Sequence, residues 1–479
     1  MDAASIQFVL FGLIAAVLSN LRNSPQWRAL VLLIASGAFL FLLTRNPVLL
    51  VPLLAFVALG FVLVRLVGRW GYKVGAGAIV LFILAFMWLK KYTLLPASSF
   101  IHDPYLTLGM SYIFFRVLHL LIETGSRTES TPVIGPYSYA LYTLNFTTFV
   151  SGPIQRYDDF ARDQFAREPL SLDVGVVGEQ LERIVRGFFK VNVLAMILDI
   201  ARADAVAQLG QPWPLSVKLS AAFTLAVVYP FFLYANFSGY IDIVIGLARL
   251  MRVRLPENFD RPFSATSFID FWNRWHITLS SWLKTYVYSP LLMGMMRRVS
   301  SMSLHPLLGV FSFFVTFFLV GIWHGRTSEF AVFGLLQGGG VALNKLWQLG
   351  LAGWMGKKPH KALTSNPVYA AFARGLTFSW FAFTLFWFWA DWKQIDMIYR
   401  SLAPAHWLAV WAGVWLCATV VLAAWEWFRA TFLAVGGSTH RVMESRYARV
   451  VFATAMGTLA FVLTTLLGQA APGLVYKAF

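Results

Sequence analysis

Long apolar runs recur along this chain, separated by short polar stretches. Clear examples are 6–21, 29–43, 47–64, 74–89, 217–235, 306–323, 405–425 and 449–467. About 20 helical residues cross roughly 30 Å of hydrocarbon, and the runs of spanning or near-spanning length number about 11–12. Backbone in lipid must satisfy its own hydrogen bonds, so these runs predict helices. The expected fold is all-α: a polytopic membrane protein forming a single membrane domain over 1–479. The first run has Asp2 in place of a basic leader and no small-residue cleavage site, so it is expected to be retained as a span.

Three zones follow from the same pattern. Residues 1–100 are plain spans that read as scaffold, and 351–479 return to plain spans after a basic loop at 357–374. Between them, 101–350 is dense in Pro, Gly, aromatics and charge, and its apolar runs are interrupted. In SYIFFRVLHLLIE (111–123), Arg116, His119 and Glu123 recur at spacings of three and four, so they share one helical face. That face is either a polar stitch between helices or the wall of a hydrated cavity, because charge exposed to lipid costs about 2.5–3.5 kcal/mol per residue.

FIDFWNRWHITLSSWLKTYVYSPLL (268–292) predicts an amphipathic helix. Phe268, Phe271, Trp272, Trp275, Leu279, Trp282, Leu283 and Tyr286 fall on one arc, and Asp270, Arg274, Thr278, Ser281, Lys284 and Thr285 on the other. His276 lies at the border, on the side of Trp272, Asn273 and Ser280. Such a helix lies in the interface or enters the bilayer part-way. The preceding RVRLPENFDRPF (252–263) contains two prolines and reads as an ordered loop presenting it. SGPIQRYDDF (151–160) breaks another apolar run, with Arg156 directly after the break.

Composition agrees with the pattern: 58% of the 479 residues are hydrophobic and 13% are charged, and mean hydropathy is +0.65. A soluble chain carries about 25% charged residues. The net charge of +17 does not imply nucleic acid, since short loops of membrane proteins retain Lys and Arg on the cytoplasmic side. Examples are Arg65, Arg69 and Lys73; Lys357, Lys358 and Lys361; and Arg441, Arg446 and Arg449. Loop charges place the N-terminus outside. Cys417, alone in an apolar run, is expected to pack in the core. The three glycines 338–340 suggest close helix packing.

Candidate chemistry concentrates on two histidines at the ends of apolar segments. His324 stands in GIWHGRTSEF (321–330), directly after FSFFVTFFLV, and His276 stands in FWNRWH. Imidazole is an effective general base near neutral pH, and a positioned base contributes about 10²–10⁴-fold. That suits deprotonating a hydroxyl for attack on an activated acyl group such as a thioester. A proton-coupled transporter or flippase for an envelope-polymer precursor could use the same pair. The sequence contains no metal-ligand cluster, phosphate loop or dinucleotide fingerprint, and no bound cofactor or metal is expected.

FWNRWHITLSSWLKTYVYSPL and GIWHG, about fifty residues apart, resemble the two signature segments of the membrane-bound O-acyltransferase family. The likeness extends to GMSYIFFRVLHLLIE, SGPIQRYDDF and ANFSGYIDIVIGLARLMRVRLPENFDRPF, and so covers about residues 104–345. The motifs resemble the bacterial polysaccharide-modifying branch: first the proteins of teichoic acid D-alanylation, next the alginate O-acetylases. SPLLMGMMRR (289–298) replaces a glycine-rich turn usual in the second group.

The resemblance implies a ring of tilted spans, with re-entrant or interfacial helices, around a central funnel. It implies catalysis by His324 and His276, with Trp323, Gly325, Trp272, Asn273, Trp275, Ser280 and Arg116 along the substrate tunnel. Gly325 would let a substrate approach the backbone. The donor implied is an acyl carrier protein or acyl-CoA on the cytoplasmic side. Arg156, Arg297 and Arg298 are candidate contacts for it, through charge steering. The acceptor implied is an extracytoplasmic glycopolymer or a hydrolase-like relay protein, and the implied location is the bacterial inner membrane.

Overall fold

A computed structural model describes residues 4–125, 134–433, 446–467 and 473. Arg441, one of the loop cations named above, lies outside the described residues. Among those described the chain is helical, with one isolated antiparallel bridge between Phe259 and Trp275. The apolar runs become helices close to their expected bounds, among them Ile6–Ser19, Pro25–Leu43, Val51–Trp70, Tyr72–Leu89, His305–His324 and Pro404–Phe428. The run at 217–235 belongs to a longer helix, Leu215–Leu250, which carries Pro230 inside it.

Among the described residues, five helices have the length and hydropathy to cross a membrane: Pro25–Leu43, Pro47–Trp70, Leu215–Leu250, Met302–His324 and Pro404–Thr431. Three shorter apolar helices accompany them, Ile6–Ser19, Lys73–Leu89 and Tyr447–Leu463. The number falls below the expected 11–12 or so because several long helices are diluted by polar residues. Ser328–Met355 has 28 residues, about 42 Å at 1.5 Å per residue, yet includes Gln337, six glycines, Asn344 and Lys345. The basic stretch read as a loop at 357–374 is also helical, as Lys357–Ser365 and the start of Pro367–Thr384.

The chain separates into two compact units. The first contains 1–191 and 237–257. Several of its helices are capped by short polar side chains: Ser5 accepts from the Phe8 N–H, Ser24 precedes Pro25, and Asp173 accepts from the Val176 N–H. Phe8, Phe39, Phe146 and Phe149 pack edge-on or tilted, with centroids 5.6–6.2 Å apart in successive pairs. Gly60 lets Tyr139 reach across to donate to the Val57 carbonyl at 2.9 Å, since a Cβ there would stand 2.5 Å from the Tyr139 hydroxyl.

The polar face of Met110–Gly125 resolves as a stitch. Arg116 is buried and donates to the carbonyls of Tyr142 and Thr143, both at 3.0 Å, and of Thr148. His119 Nε2 accepts the Tyr157 N–H at 3.3 Å, which leaves the proton on Nδ1, 3.4 Å from Glu123. The motif SGPIQRYDDF is thereby tied to the helix that carries Arg116.

The second unit contains 192–236 and 258–472. Its backbone is the hairpin of His305–His324 and Ser328–Met355, joined by 325–327. The two helices meet almost backbone to backbone. A Cβ on Gly321 would lie 2.2 Å from the Gly334 Cα, and one on Gly338 would lie 2.5 Å from the Phe314 carbonyl oxygen. The glycine run therefore does serve close packing, at Gly338 and also at Gly340, which faces the Trp380 indole, whereas Gly339 faces open space. Cys417 departs from expectation: it is exposed on Pro404–Phe428 rather than packed in the core. In a membrane helix the outward face is as apolar as the inward one, so burial cannot be read from apolarity.

Candidate active site

His276 does not sit within one amphipathic helix. The segment is broken into Phe268–Arg274 and Ile277–Leu283, and continues through 284–288 into Ser289–Met296. At the break Trp275 is extended and His276 is left-handed, with φ 46° and ψ 52°. Outside glycine that conformation costs about 1–3 kcal/mol and persists only where the surroundings impose it. The imposing element is the proline-bounded loop that precedes the segment. Asp260 N–H donates to the Arg274 carbonyl at 2.9 Å, Ile277 N–H donates to the Asn258 carbonyl at 3.0 Å, and Phe259 bridges Trp275. The loop thus takes up backbone groups that a continuous helix would have used internally.

Asn258, fully buried at 0% exposure, fixes the His276 ring. Its Oδ1 accepts the Thr278 N–H at 3.0 Å and the Thr278 hydroxyl at 2.9 Å, and stands 3.2 Å from His276 Nδ1. A backbone N–H can only donate, so that atom is the amide oxygen and His276 Nδ1 carries the proton. Nε2 is then the nitrogen with the lone pair. His276 is 1% exposed, and burial pushes its imidazole down to about 3, so the ring is neutral near pH 7.

His324 ends the helix His305–His324 and is 4% exposed. Its ring stands 4.6 Å from that of Trp323, 5.9 Å from Phe333 and 5.1 Å from Phe388. Phe388 is placed by the turn behind it, where Glu329 accepts the Trp392 N–H at 3.0 Å and Ser328 accepts the Trp392 indole N–H at 2.7 Å. The two imidazoles lie within electrostatic range of each other. Two buried histidines, one with an assigned tautomer, thus lie within electrostatic range of each other, and the surroundings of His324 are aromatic. That arrangement can move a proton while shielding a reactive acyl group from hydrolysis.

The other sequence candidates scatter. Trp272 is buried against Phe317, ring centroids 4.9 Å apart, and its indole N–H is buried without an acceptor. Trp275 is held in an aromatic stack with Phe271 and Phe381, at 5.6 and 5.0 Å. Ser280 donates to the Trp275 carbonyl at 3.4 Å, and Asn273 is exposed. At Gly325 the space a Cβ would take is filled by the Phe330 ring, 2.1 Å away, so this glycine accommodates a side chain of its own unit. Arg116 is committed to the three carbonyls described above. Arg156, Arg297 and Arg298 are exposed.

Sequence reasoning missed Asn258, Phe388 and Gln337. Gln337 is fully buried one turn after Phe333, donates to the Thr384 hydroxyl at 2.8 Å, and keeps its carbonyl oxygen without a donor. The available signal for Asn258 was its place between two prolines, in a loop too polar to span.

The profile described as MBOAT, membrane-bound O-acyltransferase family, matches residues 2–388. The chain is 30% identical over 245 residues to a teichoic acid D-alanyltransferase of Streptococcus thermophilus, covering 50% of this chain and 57% of that one. It is 32% identical over 240 residues to a probable alginate O-acetylase AlgI of Pseudomonas fluorescens, covering 50% and 45%. It is 31% identical over 209 residues to a peptidoglycan O-acetyltransferase of Helicobacter pylori, covering 44% and 37%. The matched stretch spans about half the length of the first two relatives and less of the third.

Proposed function

We propose an activity for this chain on the premise of its family: it belongs to the membrane-bound O-acyltransferases and is an integral membrane protein. Its reaction is transfer of a D-alanyl or acetyl group from a cytoplasmic thioester, on an acyl carrier protein or acyl-CoA. The acceptor is a hydroxyl of an extracytoplasmic glycopolymer or of a hydrolase-like relay protein, at the bacterial inner membrane, with residues 101–350 as the catalytic core. The reading is supported by relatives whose names state D-alanyl and O-acetyl transfer. The observation that carries it is the pair of buried imidazoles, His276 and His324, within electrostatic range of each other.

The steps follow from the groups present. His324 takes the proton of the acceptor hydroxyl as its oxygen attacks the thioester carbonyl carbon. A C–O bond forms, the C–S bond breaks, and the proton passes from the imidazolium to the leaving thiolate. His276, held by Asn258 with its proton on Nδ1, presents Nε2 as an acceptor for a neighbouring hydroxyl of the acceptor molecule and so orients it. The Trp272 indole N–H, buried without an acceptor, donates to the carbonyl oxygen as negative charge builds there. The assignment of His324 rather than His276 as base rests on family likeness.

The test uses purified full chain in detergent with an acyl thioester and a polyol acceptor. Thioester consumption that depends on acceptor, and falls by about 10²–10⁴-fold in His324→Ala at unchanged melting temperature, supports the reading. Equal consumption by the His324→Ala protein refutes it.

A further inference from the structure

A second group of charges, in the first unit, lies outside the histidine site, and three of its four arginines have no carboxylate within ion-pair distance among the described residues. Arg28 stands in the first turn of Pro25–Leu43 and is 2% exposed. A cation there meets the positive end of the helix dipole, the unfavourable end. Its Nη2 donates to the Ala166 carbonyl at 2.5 Å, and its Nη1 is buried without a partner. Arg249, in the last turn of Leu215–Leu250, donates through Nη2 to the Ser171 carbonyl at 2.7 Å, and its Nη1 is likewise buried and unpartnered. Arg252, left-handed at φ 65°, donates to the Leu170 carbonyl at 2.7 Å and to Asn20 Oδ1 at 2.6 Å. Arg254 completes the group, bound to Asp163 at 3.0 Å.

The carboxylates nearby are already engaged. Asp163 accepts from the Arg254 side chain and N–H and stands 4.0 Å from Arg162. Asp173 acts on Arg249 from further off and caps its own helix. Among the described residues, no carboxylate lies within ion-pair distance of Arg28, Arg249 or Arg252. Arg28 and Arg252 are nevertheless in electrostatic range of each other, as are Arg249 and Arg252. Carbonyls of 166–171 orient these guanidinium groups without neutralising them. One buried cation beside two half-buried ones, with no carboxylate to pair them, favours an anion between them.

We propose that Arg28, Arg249 and Arg252, with the 166–171 loop, form a binding site for a phosphate oxyanion. Guanidinium groups suit it because their N–H forks match phosphate oxygens. Arg28 and Arg249 occupy opposite kinds of helix end, the start of one membrane-spanning helix and the finish of another. That places the site at the boundary of the hydrocarbon layer, where phosphate is supplied by anionic lipid headgroups. A bound headgroup would pin the 166–171 loop to the ends of both helices. The same chemistry would accept a soluble phosphate.

The experiment uses the full chain in neutral detergent, with melting temperature and native mass spectrometry as readouts. The probes are phosphatidylglycerol, phosphatidylcholine and inorganic phosphate. The expected result is binding of phosphatidylglycerol at least about 10-fold tighter than phosphatidylcholine, with a raised melting temperature. That preference should fall by about 10-fold in Arg249→Gln and in Arg252→Gln, and persist in Arg400→Gln, an exposed arginine paired with Asp396 elsewhere. Stabilisation by inorganic phosphate with no preference between the lipids, lost in Arg249→Gln, supports the oxyanion site and assigns it to a soluble phosphate. Equal response to the two lipids and none to inorganic phosphate overturns the proposal on the unaltered protein, whatever the variants do. So does a preference that Arg249→Gln and Arg252→Gln leave intact.

Discussion

Replacing Gly321 by Ala probes the hairpin that carries His324. A Cβ at 321 would lie 2.2 Å from the Gly334 Cα and 2.3 Å from its nitrogen, whereas an ordinary contact needs about 3.4 Å. Both of these atoms are backbone, so no side chain can swing away. The helices must part by roughly 1 Å, and overpacking of this kind costs about 1–3 kcal/mol. His324 stands three residues beyond the insertion, at the end of the same helix. A misplacement of about 1 Å costs around 10²-fold in rate. Gly321→Ala should therefore lower both the melting temperature and the single-turnover consumption of donor thioester. Gly339→Ala, on the same helix as Gly334 but facing open space, should do neither. A Gly321→Ala protein with native melting temperature and native rate would refute the reasoning from close packing to catalysis.

Further outcomes follow from the same geometry. Asn258→Ala removes the acceptor shared by the Thr278 N–H, the Thr278 hydroxyl and His276, so it should destabilise by about 3 kcal/mol or more, at about 1–3 kcal/mol per abandoned donor, read as a drop in melting temperature, with transfer falling further than stability explains. Arg116→Gln strands carbonyls that Arg116 now satisfies and should cost about 2–4 kcal/mol, without changing the rate per folded molecule. Trp272→Phe keeps the contact with Phe317 but removes the unaccepted N–H; turnover should fall by about 10-fold or more while the apparent donor affinity and melting temperature hold.

Much of the fold was legible because its signals are local. Apolar runs marked Pro25–Leu43, His305–His324 and Pro404–Phe428 to within a few residues. The spacing of Arg116, His119 and Glu123 announced a shared face, and the glycines at 338 and 340 announced close approach. What escaped depends on partners distant in sequence. A helical wheel cannot see that 258–260 captures the backbone at 274–277, and that capture breaks the amphipathic helix and sets the His276 ring. The role of Asn258 escaped for the same reason, since its place between two prolines marked the loop but not its partners. Cys417 escaped because lipid is as apolar as a core. Gly325 was read as space for a substrate, and only packing reveals the Phe330 ring in that place.

Vesicles containing the full chain test the central claim most directly: that residue 324 provides the base in a reaction joining two aqueous compartments. Labelled thioester is supplied to one compartment and a hydroxyl acceptor to the other. The account predicts label on the acceptor while the thiol carrier stays on its own side, with transfer reduced by about 10²–10⁴-fold in His324→Ala. Undiminished transfer by His324→Ala, or label on the acceptor only when donor and acceptor share a compartment, would contradict it.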